Sequence, residues 1–191
     1  MLNNQNIFYN KKILIYGLGK SGLSVFNFLK KDNQTITFDD KKRNNIKKII
    51  SAKFDYIIVS PGIDIHKCSL SKFLKKNSNK IYTDLDIFYD NHTQNNKITI
   101  TGTNGKSTTA KILYDILKDN KVDVRLVGNI GNPVLLEKKV TKRTVFVVEA
   151  SSYQLEYSQL YKSNISLILN ISPDHLERHK TINRYVSAKF K

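Results

Sequence analysis

The residues with the most chemical content are Thr101-Gly-Thr-Asn-Gly-Lys-Ser-Thr108. They follow the β-branched run Lys97-Ile-Thr-Ile-Thr101 and precede a stretch of helical periodicity, the setting in which a glycine loop cradles phosphate. Glycines let backbone N–H groups turn toward phosphate oxygens, and the helix N-terminus adds partial positive charge. There Lys106 would reach the outer phosphates and the Ser107 hydroxyl would ligate Mg²⁺. The loop is the short form G-x-x-G-K-S, because Ile100 stands where the longer pattern has glycine. Glu149 closes a second buried-strand run, Val145-Phe-Val-Val-Glu149, the usual position of a Mg²⁺-organising carboxylate. Ser151, Ser152 and Gln154 follow, with polar groups suited to bonding a ligand or the loop.

Two further clusters sit at strand ends. Asn170-Ile-Ser-Pro-Asp-His-Leu-Glu-Arg-His179 gathers Asp174, His175, Glu177, Arg178 and His179 where open parallel sheets bind ligands. His175 is the functional candidate among them. Zinc is not expected, since no cysteine or third histidine stands nearby and Mg²⁺ chemistry does not need it. Gly17-Leu-Gly-Lys-Ser-Gly22 matches G-x-G-x-x-G, with Asp39 22 residues after Gly17. Its physical content is a helix N-terminus able to hold a pyrophosphate; NAD and a nucleotide sugar both fit that description.

The elements that must position these residues alternate. Strands are predicted at 12–16, 35–38, 54–59, 81–83, 97–101, 122–127, 144–148 and 165–171. Helices are predicted at 21–31, with Leu23, Phe26 and Leu29 inward, at 46–50, at 69–76, and from 181 onward. Another at 106–119 carries Ala110, Leu113, Ile116 and Leu117 on one side. The polar stretch 90–96 has no periodicity and reads as a linker. The fold class is therefore α/β: a Rossmann-like parallel-sheet domain over 1–92, then a P-loop ATPase-type α/β unit over 93–191.

Composition bounds the partners. The 191 residues include 32 Lys and Arg against 16 Asp and Glu, a net charge of +16. Nucleic acid or an anionic membrane is the sharp reading of that balance. But 27 Lys, 20 Asn and 22 Ile share A/T-rich codons, only five residues are Arg, and the lysines are scattered. Compositional drift explains the charge, with a minor role in attracting anionic substrates, so no specific nucleic acid and no membrane partner is expected. The single Cys68 excludes an internal disulfide framework. The opening Met1-Leu-Asn-Asn-Gln-Asn6 lacks a signal-peptide layout, and no apolar run approaches a membrane span. A cytoplasmic protein is expected.

These motifs, in this order, resemble the Mur ligases, most closely their D-glutamate-adding branch. The resemblance rests on the 17–22 loop, Ser60-Pro-Gly-Ile63, the 102–108 loop, Gly128-Asn-Ile-Gly131, Glu149-Ala-Ser-Ser-Tyr-Gln-Leu-Glu156, the 170–179 stretch and Tyr185-Val-Ser-Ala-Lys189. It implies an ATP-dependent amide ligase of peptidoglycan synthesis, acting on UDP-N-acetylmuramoyl-L-alanine and D-glutamate through an acyl phosphate. It implies ATP on Gly102, Thr103, Asn104, Gly105, Lys106, Ser107, Thr108 and Thr109. It implies catalytic roles for Lys106, Glu149, His175 and Lys189, with one Mg²⁺ on Ser107 and Glu149 and a second served by His175 and Lys189. The lysine matching Lys189 is carbamylated in the family, which turns a cation into a metal-ligating carboxylate. For the UDP-substrate the resemblance implies Gly19, Lys20, Ser21 and Gly22 near the pyrophosphate and Asp39, Asp40 and Lys41 near the uracil. Ser60, Pro61, Gly62, Asn129, Ser151, Ser152 and His175 complete that set. The family often shows D-[ST]-R where this chain has Asp39-Asp-Lys41, and a lysine does not reproduce an arginine fork. The resemblance also implies that residues 93–191 are the first part of the family's P-loop ATPase-type α/β central domain, and Mur ligases continue well past the position of Lys189. The chain reads as an N-terminal portion, inactive alone, whose partner would be the missing C-terminal portion of a truncated or split ligase. A non-catalytic nucleotide-sugar module, a folylpolyglutamate synthase-type ligase and an NAD-linked dehydrogenase are the competing readings.

Overall fold

The computed structural model describes residues 5–42 and 45–191; residues 1–4, the start of the segment read above for a signal peptide, lie outside them. The first apolar run forms β1 (Lys12–Tyr16), with Ile13, Leu14, Ile15 and Tyr16 all buried. A strand apolar on both faces needs parallel neighbours and helical cover. β1 pairs in parallel with β2 (Gln34–Phe38) and β3 (Tyr56–Val59), and β4 (Ile81–Tyr82) lies outside β3, giving the order β2-β1-β3-β4. Between these strands run α1 (Lys20–Leu29), α2 (Ile46–Ser51) and α3 (Ser71–Lys76).

A second parallel sheet, β6-β7-β5-β8, is built from β5 (Lys97–Thr101), β6 (Val124–Gly128), β7 (Val145–Glu149) and β8 (Ile165–Ile168). α5 (Lys106–Asp119) follows β5, α6 (Ser152–Glu156) follows β7, and α7 (Leu176–His179) and α8 (Ile182–Lys189) follow β8. β8 is the outer strand; among the described residues no strand covers its far edge, and Ile165 there is 55% exposed. Both halves are thus α/β with all-parallel sheets, as the alternation predicts. No helix among the described residues is long and apolar enough to cross a membrane.

The stretch expected to be a linker is ordered. α4 (Asp84–Asn91) precedes it and was not predicted. Its first turn is fixed by a capping box in which the Thr83 N–H donates to Asp86 Oδ2 at 2.7 Å. Asp86 is fully buried, and its other oxygen accepts from Ser158 Oγ at 2.7 Å and from the N–H groups of Gln159, Leu160 and Tyr161. One carboxylate so ties the end of the first sheet to the turn after α6, replacing its lost hydration with directed bonds. Phe88 meets Phe146 edge to face at 4.8 Å, which carries the apolar core across the junction. Lys97 is buried beside them, donating to the His92 and Asn95 carbonyls, and burial lowers its pKa to about 8.

Two helix faces also differ from expectation. On α5, Ala110, Leu113 and Leu117 face the sheet, but Ile116 is 54% exposed. At about 100° per residue, Ile116 falls roughly a quarter-turn off the 110/113/117 stripe. On α1 the buried face is Gly22, Val25 and Leu29, and Leu23, one residue round from Gly22, is 47% exposed. The strand predicted at 165–171 stops at Ile168, where the chain turns toward the loop after β5.

Candidate functional site

Each sheet ends in a glycine loop running into a helix, and each loop opens on a cavity. In the first sheet Gly17 leaves β1 at φ +89° and its N–H donates to the Phe38 carbonyl. The next turn must pass very close. A Cβ on Gly22 would lie 1.8 Å from the Gly17 oxygen, so only glycine lets α1 pack here. Ser60 Oγ donates to the Gly17 oxygen at 2.7 Å, and Asp39 accepts from the Leu18 N–H at 2.7 Å and the Lys41 N–H at 2.9 Å. Those N–H bonds hold the Asp39 carboxyl below the usual carboxylate range. Asp40 accepts from Tyr16 Oη at 2.7 Å and from the Ser69 hydroxyl.

A cavity of about 670 Å³ lies over this loop, lined by Gly19, Lys20, Ser21, Asp39, Asp40, Ser60, Pro61 and Gly62. Asn129 and Gln154 reach it from the second sheet. Gly22 lines neither this cavity nor the next. No side chain caps α1 at Gly19, which leaves its first-turn N–H groups for the cavity. Asp39 and Ser60 bond the loop as well as lining the cavity, where the sequence expects them as ligand contacts.

In the second sheet Gly102 (φ +152°) and Gly105 (φ +81°) shape the loop, and Gly105 caps α5 without a side-chain bond. Asn104 N–H donates to Asn170 Oδ1 at 2.9 Å, and the Asn170 amide returns a bond to the Asn104 carbonyl at 3.1 Å. Thr103 Oγ1 accepts from the Ser172 N–H and lies 3.0 Å from Tyr185 Oη. Asn104, Gly105, Ser107 and Thr108 are exposed, Thr103, Lys106 and Thr109 half-buried, and Gly102 buried. Lys106 Nζ folds back on the Thr103 carbonyl at 2.7 Å.

Glu149, 0% exposed, accepts from Ser107 Oγ at 2.8 Å and from Asn129 Nδ2 at 2.7 Å. Asn129 is drawn there by Gly128 (φ +110°), where a Cβ would meet the Glu149 oxygen at 2.2 Å. The oxygens of Ser107 and Glu149 suit a hard cation such as Mg²⁺. Among the described residues no three His, Cys, Asp or Glu converge as a metal cage. Mg²⁺ does not require one, since it keeps waters and takes phosphate oxygens.

A cavity of about 300 Å³ collects Gly102, Lys106, Asn129, Ser151, Ser152, His175 and Lys189, together with Pro61, Tyr153 and Tyr185. Pro61 and Asn129 line both cavities, so the two adjoin. His175 sits in the left-handed region (φ +53°), its Nε2 3.4 Å from Asp174 Oδ2 and its ring 4.7 Å from that of Tyr153. Lys189 is buried, donates to the Gly102 carbonyl at 2.8 Å and lies over the Tyr185 ring. Burial first, then the Lys106 charge, lowers its pKa to about 8. Ser151 caps α6 in a reciprocal pair with Gln154, and Ser152 Oγ lies 3.0 Å from Nε2 of the buried His179. The sequence reading gave no role to Tyr153 or to the Tyr185 ring; the aromatic spacing around the 170–179 cluster was the available signal.

A parallel sheet ending in a short glycine loop, with a glutamate at the neighbouring strand end, defines an α/β protein of P-loop type. Residues 100–191 match the Mur ligase middle domain, and over that stretch the chain is similar to the Mur ligases. It is 35% identical to the UDP-N-acetylmuramoylalanine–D-glutamate ligase of Rickettsia bellii and 36% identical to that of Rickettsia felis, each over 95% of this chain. It spans 43% of the length of each, less than half of these relatives. The fold is also that of a Neisseria UDP-N-acetylmuramate:L-alanyl-γ-D-glutamyl-meso-diaminopimelate ligase, at TM-score 0.56 and 15% identity, covering 94% of this chain and 66% of that one.

Proposed function

We propose that this chain forms the UDP-substrate and phosphate-loop part of a cytoplasmic, ATP-dependent ligase that adds D-glutamate to UDP-N-acetylmuramoyl-L-alanine in peptidoglycan synthesis. In such a reaction ATP with Mg²⁺ would supply the phosphoryl group that converts the substrate carboxylate into an acyl phosphate with release of ADP, and attack of the D-glutamate amine on the acyl carbon would expel phosphate and a proton to leave the amide. The observation that supports this reading most strongly is the convergence of Lys106, His175 and Lys189 on one cavity that meets the glycine-loop cavity at Pro61 and Asn129.

In this reading the first cavity holds the UDP portion against the α1 N-terminus. The muramoyl-alanine portion passes Asn129 and Pro61 toward the second loop. Lys106 exchanges its bond to the Thr103 carbonyl for phosphate oxygens, where its charge stabilises the transferring group. Ser107 and Glu149 already meet and would hold one Mg²⁺ between them. His175 and Lys189 would serve a second ion. The lowered pKa of Lys189 favours the neutral amine, which adds to CO₂ with loss of one proton to give a carbamate.

Calorimetry on the chain tests the reading. UDP-N-acetylmuramoyl-L-alanine and Mg²⁺-ATP should each give saturable heat. Absence of heat with the UDP-sugar, on folded protein, would remove it.

A further inference from the structure

Resting on the functional reading above for its consequence but not for its geometry, a second role emerges at Arg178. We infer that Arg178 is a positioning residue: its guanidinium clamps the Ser60-Pro61-Gly62 turn of the first sheet to the helix behind His175, and so fixes how the two cavities meet.

The Arg178 side chain is 7% exposed although it carries a full charge. Its Nε donates to Glu156 Oε2 at 2.7 Å, and its Nη1 donates to the Pro61 carbonyl at 2.9 Å. The first bond stays within the second half of the chain; the other crosses to the first. The guanidinium carbon stands 4.6 Å from the Tyr153 ring centroid and 5.2 Å from that of Tyr157. A carboxylate, a carbonyl and two aromatic faces are what a planar guanidinium satisfies and an ammonium does not. Pairing with Glu156 offsets the charge, and both bonds that Nε and Nη1 make go to protein, while Nη2 is buried without a hydrogen-bond partner.

The clamp reaches the site from both sides. Pro61, whose carbonyl it grips, lines both cavities. The Arg178 N–H donates to the His175 carbonyl at 3.1 Å, one turn away. Tyr153, under the guanidinium, packs its ring 4.7 Å from His175 and donates its hydroxyl to Glu177 at 2.9 Å. Ile65 N–H to Tyr157 Oη and Lys67 Nζ to the Glu177 carbonyl are weaker crossings of the same seam. A ligand filling only the first cavity meets the seam on one side, at the Ser60–Gly62 turn, whereas one spanning both cavities depends on how the two sides are held together.

Arg178→Ala and Arg178→Lys variants of the chain test this in two ways. Hydrogen exchange of the ligand-free chain should quicken by about tenfold in the 60–65 segment of either variant, while β1 and β5 stay protected. Millimolar guanidinium should restore slow exchange in Arg178→Ala, the reverse of what a denaturant does to a merely destabilised protein. In calorimetry, UDP alone should bind the variants within a few-fold of wild type, whereas UDP-N-acetylmuramoyl-L-alanine should weaken by about 30-fold. Unchanged exchange, or equal weakening of both ligands, overturns the clamp. If wild type binds neither ligand, the functional reading fails and the exchange result alone decides the clamp.

Discussion

The loops after β1 and β5 are two uses of one device. Each runs from a buried parallel strand through glycines to an uncapped helix N-terminus. In the first, the side chains around the loop brace it: Ser60 on the Gly17 carbonyl, Asp39 on the Leu18 amide, and Gly22 pressed against the strand end. In the second, Asn170 and Thr103 brace a loop whose Asn104–Gly105 and Ser107–Thr108 stay exposed, and charged groups are packed behind it: Lys106, the buried Glu149 and the buried Lys189. In the proposed reading that added charge would separate gripping from reacting. A loop that only holds a diphosphate gains from rigidity, whereas one that handles a moving phosphoryl group needs charge placed where charge develops.

The largest test of that contrast is Lys106→Ala. Mg²⁺-ATP binding should fall by about a hundredfold, as expected for a lost charge-assisted contact, while UDP-sugar binding is unaltered. Equal loss at both sites in calorimetry would erase the distinction. Next comes a pair of glycines. Gly22→Ala should destabilise the fold by about 1–3 kcal/mol through overpacking and displace the first loop, read as a lower Tm and weaker UDP binding. Gly105→Ala has room, its nearest neighbour lying 3.6 Å from the added Cβ, and should lose only about 1 kcal/mol to the left-handed backbone, with UDP binding intact. Similar effects at the two positions would mean that the loops are braced alike.

The smallest effect concerns protonation. Lys189 has its pKa lowered from 10.5 to about 8. Between those values the unfolded chain binds the extra proton, so stability rises with pH through that window, and the burden of the buried charge is fully present below it. The neutral amine grows over the same rise. The carbamate signal from ¹³CO₂ should therefore strengthen as pH climbs through about 8 and vanish in Lys189→Ala. A signal that survives in Lys189→Ala would assign it to another amine, such as Lys97, whose pKa is also lowered to about 8.

Much of this was legible in the residues. The strand, loop and helix around Lys106 were read correctly because apolar runs, glycines and helical periodicity agree there. α4 was missed because its start, Asp84-Leu-Asp86, looks polar; the Asp86 carboxylate is satisfied by partners some seventy residues on, at 158–161, and that of Asp84 by the Leu85 N–H. Ile116 and Leu23 were misplaced because spacing alone does not say where an apolar stripe ends. For the site, residue types picked out the 102–108 loop and Glu149, which meet through Ser107. They did not show that Asp39 and Ser60, besides lining the first cavity, also brace its loop, since that depends on which backbone groups lie within 3 Å.

The bare rim of β8 carries a practical corollary. Among the described residues, the β8 edge with its exposed Ile165 is open to pairing by a further strand, and a net charge of +16 on each chain opposes the approach of a second copy. Salt at 0.1 M shortens that repulsion to about 10 Å. The buffer that weakens phosphate contacts would thus also promote clumping, and titrations at low ionic strength will report on single molecules.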